Sequence, residues 1–262
     1  MKSMLAHIFS AVLAMSFTFS TTVVSAATIN VGGIPFPPFV EKKNGQYSGI
    51  TIELIEAMNK FQDKHTFKLV GTSPQRRYES FNKGEIDLIM FEDKSWGWQE
   101  IAVTPSIVYL SGGEVYITQS DGSKDQSYFD NLENRSIAII NGYHYGFADF
   151  NSDPTYLNEN FDVQLSSSFD GNVLKVHAGR ADVAVVTLSY LKKMLVEKPE
   201  LNQSLLVSDK FDQKYQHTML LRDSGIDFTI ADLNQLISDM NTAGILDKIW
   251  AKYGVLELKT LS

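Results

Sequence analysis

Short apolar runs bounded by glycine or aspartate alternate with amphipathic stretches along nearly the whole chain. The runs Ile29–Gly32, Phe67–Val70, Asp87–Met90, Glu114–Thr118, Ser136–Ile140, Val163–Leu165, Val183–Val186 and Thr218–Leu221 predict strands. Between them the period lengthens. After Thr51, the residues Ile52, Leu54, Ile55 and Met58 recur at helical spacing, and Ile230, Leu233, Leu236, Ile237 and Met240 share one face of a helix over Asp227–Met240. Ser73-Pro74 reads as a helix start, since a first-turn proline lacks only an N–H that would have no partner there. Gly244 and Gly254 bracket a last helix over Ile245–Tyr253. Gln119–Gln126 is the most loop-like stretch. Strand and helix in regular alternation predict an α/β fold around mostly parallel sheets.

The first 26 residues break this pattern. An apolar stretch from Leu5 to Phe19 follows Lys2 and leads to Val24-Ser25-Ala26, the layout of a secretory signal peptide cut after Ala26 or one residue later. Lys2 is the one charge lost, so the remaining chain is one unit more acidic than the −8 of the whole sequence, which argues against nucleic acid and anionic lipid as partners. Without cysteine there is no disulfide, no thiolate metal site and no lipidated thiol at the cleavage point. The expected product is a free, monomeric, periplasmic protein.

Several segments, in order, resemble family-3 extracellular solute-binding proteins, the type II periplasmic binding proteins of polar amino-acid ABC transporters. They are Phe36-Pro37-Pro38-Phe39, Gly49-Ile50-Thr51-Ile52-Glu53-Leu54, Gly84-Glu85-Ile86-Asp87, Leu132 to Gly142, Gly179-Arg180-Ala181-Asp182 and the closing Leu233 to Tyr253. The resemblance implies two lobes, the first from 27–110 plus 215–262 and the second from 111–214, with chain crossings near Tyr109–Gly113 and Phe211–Gln216. It implies a small-molecule ligand held between the lobes by hinge closure, no cofactor, and an inner-membrane ABC permease or a sensor as partner.

The resemblance places an aromatic wall at Phe36, whereas Phe39 is expected to pack in the core. It also exposes two departures. The loop after Asp87–Met90 reads Phe91-Glu92-Asp93-Lys94-Ser95-Trp96-Gly97-Trp98 and lacks the arginine with which the family grips a ligand carboxylate. Thr187 stands where the family often carries an aspartate for the ligand's ammonium group. In their place, Glu92 and Asp93 with Trp96 and Trp98, facing Tyr143 and His144, suit a cationic or hydroxyl-rich ligand. Arg76 and Arg77 could supply an anion contact, and helical spacing allows only one of them to face the cleft, with Arg77 favoured.

The sequence has no Gly-x-Ser-x-Gly, no glycine-rich phosphate loop and no His-Glu-x-x-His, so a non-catalytic binder is expected. Two alternatives stay open. One is a ligand-sensing module for a membrane receptor. The other is a periplasmic dehydratase or lyase on the same fold, with Glu92 as general acid or base.

Overall fold

A computed structural model describes residues 27–260, so the signal peptide expected over 1–26 lies outside the described residues. In chain order the elements are β1 (Thr28–Gly33), β2 (Glu41–Lys43), β3 (Gln46–Ser48), α1 (Ile50–Phe61), β4 (Thr66–Gly71), α2 (Arg77–Asn82), β5 (Leu88–Glu92), β6 (Val103–Pro105) and β7 (Leu110–Gln119). Then come β8 (Ile137–Ile140), α3 (Pro154–Asn160), β9 (Val163–Ser166), α4 (Phe169–His177), β10 (Val183–Thr187), α5 (Leu188–Glu197), α6 (Leu201–Ser204), β11 (Leu205–Arg222), α7 (Ile230–Thr242) and α8 (Ile245–Lys252). Among the described residues no helix is long and apolar enough to cross a membrane.

The strands run in the order β4-β1-β5-β11-β7-β10-β8-β9. On one side β4, β1 and β5 are parallel, and on the other β10, β8 and β9 are parallel. Both trios are joined through β7 and the 18-residue β11, which pair antiparallel from Leu205 opposite Gln119 to His217 opposite Leu110. The register slips twice, between Val207 and Phe211 and between Phe211 and Gln213, and bulges of this kind bend a strand. The result is the mixed α/β architecture expected from the alternating pattern, in the two-lobed form that the resemblance implies.

Three buried clusters follow. One joins Ile29, Leu54, Leu88, Leu220, Leu233 and Trp250, bringing the last helices back onto the first strands. The other two cover opposite faces of the second set of strands, as the two-residue period of a strand requires. Ile117, Ala184 and Val186 face one way, and Tyr116, Val183 and Val185 the other.

Element starts depart from the sequence reading where side-chain capping decides them. α7 begins at Ile230, because Thr229 and Asp232 form a reciprocal capping box. Ser73 accepts from the Arg76 N–H at 3.3 Å and opens a turn, and helix α2 starts only at Arg77. α1 starts at Ile50 after Gly49, whose φ of 113° suits glycine. A Cβ on Gly49 would lie 2.6 Å from the Pro38 carbonyl oxygen. That close approach lets the carbonyls of Pro38 and Phe39 accept from the Ile50 and Thr51 N–H groups at 3.2 and 2.9 Å, clamping the Phe36–Phe39 turn onto the helix start.

Candidate functional site

The turn clamped by α1, the end of β5, the start of α2 and the Gly142 turn after β8 converge on a cavity of about 40 Å³, room for a few water-sized groups. Phe36, Phe39, Arg77, Phe91, Glu92 and Trp96 line it from the first lobe, and Glu114, Tyr143, His144 and Gln213 complete it. The lobes touch around it. Tyr143 donates its hydroxyl to the Pro35 carbonyl at 2.8 Å, Gln75 Nε2 donates to the Asn141 carbonyl at 2.9 Å, and the Phe36 and Tyr143 rings meet edge-on at 5.7 Å.

Phe91, the penultimate residue of β5, lies in the left-handed region, at φ 59°, a rare and costly conformation for a bulky side chain. Its N–H donates to the Tyr109 hydroxyl at 2.8 Å, and its ring packs against Phe39 at 4.2 Å. Next to this twist Glu92 points inward.

Glu92 is buried. Its Oε1 lies 3.4 Å from Arg77 Nε, and its Oε2 accepts from Trp98 Nε1 at 2.8 Å. Burial pushes this carboxyl up, while Arg77 and Trp98 pull it back toward ionisation. The carboxylate expected to meet a cationic ligand therefore already has a cationic partner within the protein. Arg77, expected as an anion contact, is equally engaged: it donates to the Pro74 carbonyl at 2.8 Å and the Tyr78 hydroxyl at 2.6 Å. Arg76 is exposed.

The two tryptophans separate. Trp96 lines the cavity and donates Nε1–H to Gln213 Oε1 at 3.0 Å. Trp98 lies outside it, fully buried against Tyr78 and Phe81, and acts on the site through its bond to Glu92 and through the Arg77 guanidinium 5.9 Å over its ring. Asp93 accepts from the Ser95 N–H and hydroxyl and so shapes the loop. Thr187 is also set back. It faces a smaller adjoining cavity and donates its hydroxyl to Glu114 at 3.0 Å.

His144 is held down to about 3 by burial and by the Arg77 charge, so its imidazole is neutral at neutral pH. Arg77 can only donate, so Nδ1, at 3.4 Å from Arg77 Nη2, is assigned as the acceptor and Nε2 carries the proton toward Ser152 Oγ at 3.3 Å.

Sequence reasoning passed over Glu114, Gln213 and Phe39. Gln213 ties the site together, receiving Trp96 and donating to the His144 carbonyl at 2.5 Å. Glu114 did leave a signal, being the lone charged residue in the strand Leu110–Gln119, which is otherwise apolar, small or hydroxylic up to its last residue. Phe39 packs in the core, as expected, and also reaches the cavity.

The family of bacterial extracellular solute-binding proteins, family 3, matches residues 29–255. Among solved structures, a substrate-binding protein of an ABC uptake transporter from Streptococcus pneumoniae with bound histidine is 20% identical, with TM-score 0.70 over 89% of this chain and 94% of that one. A putative ABC transporter binding component from Wolinella succinogenes complexed with lysine is 19% identical, with TM-score 0.67 over 86% and 94%. An ancestral amino acid-binding protein, a precursor of cyclohexadienyl dehydratase, is 21% identical, with TM-score 0.65 over 86% and 95%. At such identity the likeness establishes the fold. No curated protein matches the chain.

Proposed function

The chain belongs to the bacterial extracellular solute-binding proteins of family 3, and from that membership we propose that it captures a small polar or cationic molecule, amino-acid-like or amine, between its lobes. The observation that carries this reading is the cavity itself, lined from both lobes and bridged by Tyr143 to Pro35 and Gln75 to Asn141. Aromatic faces with buried carboxyls suit a cation better than an anion. The division into 27–110 plus 215–262 and 111–214 is supported by the split of the buried clusters on either side of β7 and β11. Hinge closure about those two strands would hide the solute from water.

The protein is exported, and periplasmic residence with cleavage after Ala26, a monomeric state and delivery to an inner-membrane ABC permease complete the proposal. Reporting to a membrane sensor would use the same closure. Turnover is the second reading, favoured by one observation: Glu114 is a buried carboxyl in the cavity wall, and burial raises it to about 8, a value that suits a general acid.

Small-angle scattering and a thermal-shift screen on residues 27–262 test the binding reading. A bound solute is expected to contract the particle and, at about a hundred times its dissociation constant, to add roughly 2.7 kcal/mol of stability. Mass spectrometry of the recovered solute decides turnover, since a binder returns it unaltered. A thermal shift without contraction would sink closure between lobes.

A further inference from the structure

The cavity holds two buried carboxyl groups, and the protein answers them differently. Glu92 has Arg77 beside it. Glu114 is as buried, but among the described residues its bonds come from neutral donors alone, Thr187 Oγ1 at 3.0 Å and Tyr215 Oη at 3.3 Å. Both bonds fall on Oε1, and among the described residues Oε2 has no bonded partner although the residue lines the cavity.

The backbone is built around this placement. Thr187 stands directly opposite Glu114 on β10, and Gln213 opposite it on β11. A Cβ on Gly112, two residues before Glu114, would lie 2.2 Å from Tyr215 Cε2, so glycine there admits the ring whose hydroxyl reaches Glu114. Phe36, Trp96, Tyr143 and Tyr215 form aromatic walls close by, with Trp96 and Tyr215 at 4.7 Å.

Every other ionisable group facing Glu114 is either spoken for or uncharged. On β11, Asp212 adds negative potential but its oxygens accept from Tyr116 Oη and from the Gly146 and Phe147 N–H groups at 2.6 to 2.8 Å. Tyr143, Tyr145 and Tyr215 are pushed well above the usual phenol range by burial and stay protonated. Across the cavity Arg77 is engaged by Glu92, and His144 is neutral.

We propose that Glu114 is the group that receives the positive charge of the solute, a small ammonium compound, and that it exchanges a proton for it. The proposal rests on the solute-binding reading and names the charge partner within it. Burial raises this carboxyl to about 8, so near neutrality it carries a proton. When an ammonium group enters, the carboxyl O–H bond breaks heterolytically and the proton leaves to bulk water while the lobes are open. The resulting carboxylate accepts a hydrogen bond from the ammonium through Oε2, and no electrons change hands.

The test is calorimetry of wild type and Glu114→Gln with ethylammonium, putrescine and arginine, and with glucose and succinate as uncharged and anionic probes, from pH 6 to pH 9. Glutamine keeps the shape and can still accept from Thr187 and Tyr215. A cationic probe is expected to bind about tenfold tighter per pH unit up to about pH 8 and then level off. In buffers of different ionisation enthalpy it should release about one proton at pH 6. Glu114→Gln should weaken it on the order of a hundredfold at pH 8.5.

The proton count is measured on wild type, so it decides the matter even if the variant folds poorly. Cation binding without pH dependence, or unchanged in Glu114→Gln, overturns the proposal. Binding of glucose or succinate alone overturns it while leaving the solute-binding reading intact. No binding by any probe overturns both.

Discussion

Arg77 Nε and Glu92 Oε1 lie 3.4 Å apart with both side chains almost wholly out of solvent, 4% and 7% exposed. The two partners differ in how they can fail. A carboxyl left alone can take up a proton, whereas a guanidinium cannot lose one. Glu92→Gln therefore strands a buried charge and is expected to cost about 3–5 kcal/mol in urea unfolding. Arg77→Met should cost less at pH 5 than at pH 8, because the remaining carboxyl, already pushed up by burial, neutralises itself. The double variant should recover much of the loss. A Glu92→Gln penalty below about 1 kcal/mol would mean the pair is not the internal charge balance described here.

Trp96 lines the cavity, and Trp98 is packed behind it. Solute binding should therefore alter the emission of Trp96 and leave that of Trp98 nearly unchanged. Trp98→Phe should keep the fluorescence response while losing about 1.5–3 kcal/mol of stability through the broken bond to Glu92. Trp96→Phe should abolish the response. A response that survives Trp96→Phe and disappears in Trp98→Phe would reverse this assignment.

The alternating pattern made the fold legible because its strands are buried runs and its helices amphipathic, signals carried by nearest neighbours in sequence. The site was legible only in part. Phe36, Trp96, Tyr143 and His144 sit on turns flagged by proline or glycine, and they do reach the cavity. What pairs with what was not legible, since Arg77 meets Glu92 and Thr187 meets Glu114 across 15 and 73 positions of chain. A carboxylate's role depends on whether a cation arrives from another element, and local sequence does not record that. The long β11 was read only at Thr218–Leu221, because its crossing half alternates polar and apolar residues without a continuous apolar run.

The raised Glu114 gives stability a particular slope with pH. Its folded value, about 8, lies above the ordinary 4.5, so the folded state holds a proton that the unfolded chain releases. That contribution is complete below pH 4.5 and is lost as pH rises through 8, by up to about 1.4 kcal/mol per unit. Relative to Glu114→Gln, wild type should lose a few kcal/mol between pH 5 and pH 8. Unfolding curves at matched ionic strength measure this, and parallel pH profiles for the two proteins would show that Glu114 titrates normally.

His217 offers the opposite slope. It is fully buried on β11 among Phe39, Phe91 and Tyr215, with ring centroids 4.9 to 5.4 Å away, and neither ring nitrogen makes a hydrogen bond of good geometry among the described residues, although the Phe91 backbone lies close enough to favour its proton. An unsatisfied buried donor costs about 1–3 kcal/mol, and burial holds its protonation down to about 3 against an ordinary 6.5. The folded state thus refuses a proton that the unfolded chain accepts, so this contribution is present above pH 6.5 and lost as pH falls toward 3. His217→Leu removes both penalties within an apolar shell. It should raise stability by about 1 kcal/mol at pH 7 and by more at pH 5, with the gap widening as the solution is acidified. A loss of stability at pH 7 would show that shape, and not the unsatisfied ring, governs this position.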